Sequence, residues 1–213
     1  MKWINAVPDG QLQTSGFFII LNSFHTIHSH TSNQSTMSAN DENPFHSIPW
    51  CRAYIDDPQY ITAKDITRDT VTDTYDTFAA KTLNTKATIS DIFCLKKRAQ
   101  NQKDSFDTIT FMSLGRDLNG HDNVAHGGAV ATILDEVAGF VLREWSSPER
   151  LYVTRNLNVN YLKPLRTPGL VLIKGSVSLA EERKKMVTLH LHDEKQLVAT
   201  GEALFILVGR EAL

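Results

Sequence analysis

The run His126-Gly127-Gly128-Ala129-Val130-Ala131-Thr132-Ile133-Leu134-Asp135-Glu136 gathers the residue types that can move a proton or hold a developing negative charge. Apolar residues recur through Ala129, Val130, Ile133, Leu134, Val137, Ala138, Phe140 and Val141. At about 100° per residue they fill about half the circumference of one long, mostly buried helix over 126–141. Asp135 falls at the border of that arc beside Gly128, Thr132 and Gly139, while Glu136 lies about 100° further round. A lane of small residues admits another backbone or a thin ligand, and a carboxylate at its edge is partly desolvated. The two glycines after His126 leave bare backbone N–H groups at the positive end of the helix dipole, a ready site for an oxyanion. A carboxylate so placed can act as general base or as nucleophile, and the residues do not separate the two. Only one carboxylate of the pair can face the lane, so Glu136 is read as structural.

These groups need a frame. Residues 87–98 and 106–114 read as strands joined in a hairpin by a polar turn, and 75–83 as a short helix or turn. Residues 117–124 form a turn-rich loop into the helix. After the helix, 150–163 alternates, with Val153, Leu157, Val159 and Tyr161 on one face and Thr154, Asn156, Asn158 and Asn160 on the other. Residues 170–180, 185–193 and 196–208 continue as strands, with Val171, Ile173, Val177 and Leu179 sharing one face of the first and Val187, Leu189 and Leu191 one face of the next. The pattern predicts an α+β domain in which an antiparallel sheet of five to six strands curls around one long central helix.

His126-Gly127-Gly128, Asp135 nine residues after the histidine, and the strand Val153-Thr154-Arg155-Asn156-Leu157-Asn158-Val159-Asn160-Tyr161-Leu162-Lys163-Pro164 together resemble the hotdog-fold acyl-CoA thioesterases of the phenylacetate-pathway type. The resemblance covers roughly residues 75 to 208. It implies thioester hydrolysis on a fatty or aromatic acyl-CoA without metal or redox cofactor. It further implies Asp135 as base or nucleophile, the Gly127 N–H as oxyanion donor, and Gly128 as the point of close approach. Thr154 matches a family hydroxyl that positions water or the carboxylate, although alternation sets it with the asparagines on the polar face, a conflict that a subunit interface would resolve. His126 either binds substrate or braces the loop. Asn119 and Asn123 either aid the oxyanion or serve the turn. Coenzyme A carries phosphates, for which Arg183, Lys184 and Lys185 in a hairpin-like turn are candidates, with Arg155 and Lys163 as further options; a merely solvated basic turn is the other reading. In the resembling family two sheets join edge to edge about a two-fold axis, so a homodimer or homotetramer with shared sites is expected. A non-catalytic acyl-CoA-binding or scaffolding protein is the rival, and a hydratase a weaker one.

The chain has 213 residues and a formal net charge of −2, with a mass of 23.9 kDa and a pI near 6.4. That size suits one domain with an extension, and the balance of charge offers no basic field for nucleic acid. Cys51 and Cys94 lack metal, redox or disulfide spacing and fit a reducing compartment. The run Gly16-Phe17-Phe18-Ile19-Ile20-Leu21 is too short to span a bilayer. A cytoplasmic protein without stable membrane insertion is expected, with mitochondrion and peroxisome also open. Residues 1–43 are rich in Ser, Thr, Asn and His and aperiodic, a polar tail in which His25, His28 and His30 do not amount to a metal site; translation could start at Met1 or Met37. Residues 44–74 read as short helical pieces forming an arm packed by Trp50, Tyr54 and Tyr60, either a lid on the acyl end of a tunnel or a docking extension. The domain is then 75–210. His190 and His192 share a strand face without a third ligand, so no metal is expected.

Overall fold

A computed structural model describes residues 43–63, 68, 76–98, 108–146 and 150–208, all within the compact unit Met37–Leu213. The expected tail 1–43 and the turn 99–105 lie almost wholly outside the described residues. The elements in order are helix α1 (Pro49–Ile55), strand β1 (Tyr60–Thr62), a π-helical turn (Phe78–Thr82), β2 (Ile89–Lys97), β3 (Thr108–Leu114), a 3₁₀ turn (Arg116–Leu118), β4 (Asn119–His121), β5 (Val124–Ala125), α2 (Gly127–Trp145), β6 (Leu151–Tyr161), β7 (Gly169–Ala180), β8 (Lys184–His192) and β9 (Leu197–Val208). One antiparallel sheet runs β1-β2-β3-β7-β8-β9-β6, and β4 and β5 form a separate ribbon where a loop is expected. Six long strands match the expected sheet; the arm adds β1 as a seventh.

Alternation gives the sheet two apolar faces. On one side Met112, Val171, Ile173, Val187, Leu189, Leu191, Ala199, Ala203 and Phe205 pack against Ile133, Leu134, Val137, Ala138 and Val141 of α2. On the other, Leu95, Ile109, Phe111 and Leu172 lie under the arm, with Phe45 and Cys51. The rings of Phe45, Trp50 and Tyr54 surround Phe111 at centroid distances of 5.7, 6.1 and 6.3 Å. The arm from Phe45 to Tyr60 docks on the face opposite α2, whereas Ala63 joins the core against α2 and Arg68 lines a pocket with Thr132 and Glu136. Cys51 sits in this second core, where burial foremost pushes its thiol up to about 12, so it stays protonated.

Among the described strands of the large sheet four register shifts interrupt strict alternation, at 89/91, at 154/156, opposite 191/192 where Val198 is extra, and at 177/179. The last corrects the reading of β7. Val177 still points to the core, but the extra residue Ser178 turns Leu179 outward, where it is 38% exposed. Helix and sheet approach closely at Gly175, where a Cβ would stand 2.4 Å from Val141 Cγ2. We expect Gly175→Ala to lower the free energy of unfolding by about 1–3 kcal/mol through overpacking beneath α2, measurable by urea denaturation. A neutral effect would show that α2 can lift freely from β7.

Candidate active site

Helix α2 begins where the sequence places it, because His126 is its N-cap: its backbone is extended and its Nδ1 accepts from the Gly128 N–H at 2.8 Å. A ring whose Nδ1 accepts carries its proton on Nε2 when neutral. Of the two readings of His126, bracing is the one the geometry displays. The Gly127 N–H has no acceptor among the described residues, and Gly127 is exposed at the positive end of the dipole. Two glycines are needed there, since a Cβ on Gly128 would stand 2.9 Å from His126 Nδ1 and one on Gly120 would stand 2.9 Å from His126 Cα. The helix start is fastened from behind by Tyr161, whose hydroxyl donates to the Gly127 carbonyl at 3.0 Å. Alternation placed Tyr161 on the helix-facing side of its strand; nothing in the pattern marked it as a clamp.

The carboxylate end depends on the bulge in β6. Thr154 pairs with Phe205 and Asn156 with Leu204, so Arg155 is the extra residue. Directly opposed residues share a face, and Phe205, Ala203 and Gly201 all lie on the helix side. Thr154 thus joins Leu157, Val159 and Tyr161 beneath α2, and the asparagine face begins only at Asn156. This corrects the expectation that Thr154 shares the polar face. Its Oγ1 donates to Asp135 Oδ1 at 3.0 Å, leaving the other carboxylate oxygen free. Asp135 is half-buried, and a Cβ on Gly139, one turn on, would meet nothing within 4 Å, so the lane beside the carboxylate is open.

The two chemical groups are far apart within one chain. Eight residues separate Gly127 from Asp135 on a straight helix, a rise of about 12 Å. One carbonyl cannot lie within hydrogen-bond reach of both.

The other expected binders scatter. Asn119 accepts from the Thr167 hydroxyl, and Asn123, at φ 56°, makes the β4–β5 turn, so both brace the ribbon that feeds α2. Thr167 escaped notice in the sequence. Arg155 is exposed on the bulge. Arg183 and Lys184 are exposed at the β7–β8 turn. Lys185, two strands across from Thr154 through Phe205, is instead buried, its ammonium 5.3 Å from the Trp145 ring centroid. This basic turn flanks the Asp135 end of the helix, whereas Lys163 follows Tyr161 at the Gly127 end. His190 and His192 lie on the outer face; burial first and then Lys174 hold both below the usual imidazole range. Among the described residues no cluster of three or more potential metal ligands occurs, and no helix is long and apolar enough to cross a membrane.

Glu136 points to the flank away from Thr154, into a narrow pocket lined by Ile89, Ile92, Met112, Thr132 and Ile133, with Arg68. Burial foremost, then Asp76 and Asp135, raise its carboxyl above the usual range, against the pull of Arg143. A raised folded-state value means that the ionised side chain costs stability above that value, and that the cost disappears below the unfolded value of 4.5. Glu136→Gln should therefore raise the melting temperature at pH 7, and the gain should shrink as pH falls toward 4.5. Melting curves across that range give the test, and a gain independent of pH would contradict the cause.

Residues 122–200 match the profile of the Thioesterase superfamily. Over 106 residues the chain is 34% identical to acyl-coenzyme A thioesterase THEM4 of Mus musculus, covering 49% of this chain and 44% of that one. Over 94 residues it is 37% identical to the Rattus norvegicus protein of the same name, covering 43% and 39%. The match thus spans less than half the length of these curated relatives. Among solved structures, thioesterase HI1161 from Haemophilus influenzae superposes with a TM-score of 0.47 at 13% identity, over 55% of this chain and 78% of that one. Residues 122–200 are thus similar to the Thioesterase superfamily, and α2 with the antiparallel sheet that curls around it has the architecture of the hotdog fold.

Proposed function

We propose that the protein is an acyl-CoA thioesterase, releasing free acid and coenzyme A from a fatty or aromatic acyl-CoA in the cytoplasm with no cofactor. Residues 75–210 form the catalytic domain and 44–74 an N-terminal arm, whose segment from Phe45 to Tyr60 packs on the face of the sheet opposite α2. The observation that carries the reading is the Asp135 carboxylate held by Thr154 at 3.0 Å, in a chain whose residues 122–200 match the Thioesterase superfamily. The relatives named as acyl-coenzyme A thioesterases supply the substrate class.

The site is shared between two copies. The separation of about 12 Å along the helix excludes joint action of Gly127 and Asp135 of one chain on one carbonyl. Among the described residues strand β6 ends the sheet with its outer edge unpaired, and its asparagines are exposed beside the open lane at Gly139. An isologous pairing of two such edges brings the Gly127 N–H of one protomer to the partner subunit's Asp135, in a homodimer or a homotetramer built from it. The thioester oxygen accepts from Gly127 N–H. In the general-base route Asp135 takes a proton from water as the water oxygen bonds to the carbonyl carbon. The oxyanion then collapses, the C–S bond breaks, and the departing thiolate of coenzyme A takes up a proton. In the nucleophilic route the carboxylate itself adds, the C–S bond breaks to leave an anhydride, and water hydrolyses that. Thr154 orients the carboxylate in either.

Asp135→Asn should lower kcat by about a hundredfold or more with the fold intact, while Glu136→Gln keeps most of the activity; an assay of free thiol on a panel of acyl-CoA chain lengths reads both. Near-normal turnover by Asp135→Asn would reject the assignment. The pairing has its own test. Gly127→Pro deletes the N–H at a helix position that tolerates proline, so it should inactivate the site without unfolding α2. Mixed with Asp135→Asn, it should restore one working site in each heterodimer. Verified, folded heterodimers that stay inactive would rule out a shared site.

A further inference from the structure

A groove of about 460 Å³ opens between α1, the β6–β7 loop, the start of β7 and the β8–β9 turn, within the roughly 300–1,000 Å³ typical of small-molecule clefts. Its lining includes the half-buried Trp50, whose ring meets Phe111 in an edge-type contact at 6.1 Å. Arg166 and Lys195, both exposed, face it from two different elements, and Leu170 supplies apolar surface. Two carboxylates are also present. Asp193 Oδ1 is occupied by the N–H groups of Lys195 and Gln196 at 2.8 Å each, so it shapes the turn. Glu194 and the Gln196 amide remain on the rim as hydrogen-bonding groups. An adjoining groove of about 220 Å³ shares Trp50 and this turn and adds Tyr54, Lys174 and His192.

The groove is tied to the helix start. Arg166 bridges Val124, and the Ala125 N–H donates to the Leu165 carbonyl at 2.9 Å. Val124 lies three residues before Gly127, a span of at most about 11 Å. One loop therefore forms the wall of the groove and holds the ribbon that leads to the oxyanion site.

We infer that this groove receives the adenine nucleotide end of coenzyme A, with the base against Trp50 and phosphate at Arg166 and Lys195, while the pantetheine arm runs to the Gly127 N–H. The inference rests on the thioesterase reading. An indole face is a stacking surface for a base. Guanidinium and ammonium groups on separate elements suit phosphate oxygens, and Glu194 can accept from the exocyclic amine of adenine. The α1 arm thereby has a use in substrate capture on the face of the sheet away from Asp135.

The test uses the full chain and the double variant Arg166→Gln/Lys195→Gln, both changes lying on exposed side chains. Adenosine 3′,5′-bisphosphate titrated calorimetrically should bind the unaltered chain and bind the variant about tenfold more weakly. No saturable binding, or equal binding to both, overturns the inference. In kinetics, acyl-CoA is compared with the matching acyl-N-acetylcysteamine thioester, which lacks the nucleotide. The variant should raise the ratio of kcat/KM for the short thioester to that for acyl-CoA about tenfold. An equal change on both thioesters overturns it, since the residues would then act on the reacting end. If the unaltered chain hydrolyses neither thioester while the bisphosphate binds as expected, the hydrolase reading fails and the nucleotide groove stands.

Discussion

Helix α2 lies on a sheet that yields beneath it at two glycines, and the positions of Gly127 and Asp135 follow from that contact. At Gly175 no side chain would fit under Val141, and at Gly201 a Cβ would already stand 3.4 Å from Leu134 Cδ1. Leu134 is fully buried by that approach, and Asp135 follows it directly in the chain. Seating Leu134 over β9 turns the next side chain toward β6, the neighbouring and last strand. Close packing of this kind allows little rotation of the helix, because interiors are as dense as organic crystals.

Strand β6 then holds the helix at two points. Tyr161 reaches the Gly127 carbonyl and Thr154 the Asp135 carboxylate. Because strand and helix run in opposite directions, the two contacts fix both the height of the helix start and the azimuth of the carboxylate. The outer edge of the same strand is unpaired among the described residues.

Adjacent carboxylates meet opposite environments on this frame. Asp135 has a hydroxyl donor and an open lane; Glu136, one residue on, faces an apolar pocket where burial disfavours its charge. A rotation of about 100° along the helix separates a carboxylate held by a hydroxyl beside an open lane from one whose charge burial disfavours. The outer face of the sheet makes a parallel division: the arm turns what would be a solvated apolar surface around Phe111 into a second core, and the margin of that core is a groove with Trp50 in its wall.

The helix, the six long strands, the pair of glycines at the helix start and the place of Asp135 at the border of its apolar arc were legible from residue order, because they follow from periodicity acting over a few residues. His126 braces the helix start through Nδ1, a local hydrogen bond that occupies only one of its two ring nitrogens. Alternation failed at Thr154 and Leu179, where one extra residue reverses the face of every position beyond it, and a bulge carries no composition of its own in these strands. The clamp by Tyr161, the brace from Thr167 to Asn119, the burial of Lys185 against Trp145 and the side of the sheet taken by α1 join residues far apart in the chain. Such contacts depend on the order of strands in space, which local pattern leaves undetermined and only the packed tertiary structure decides.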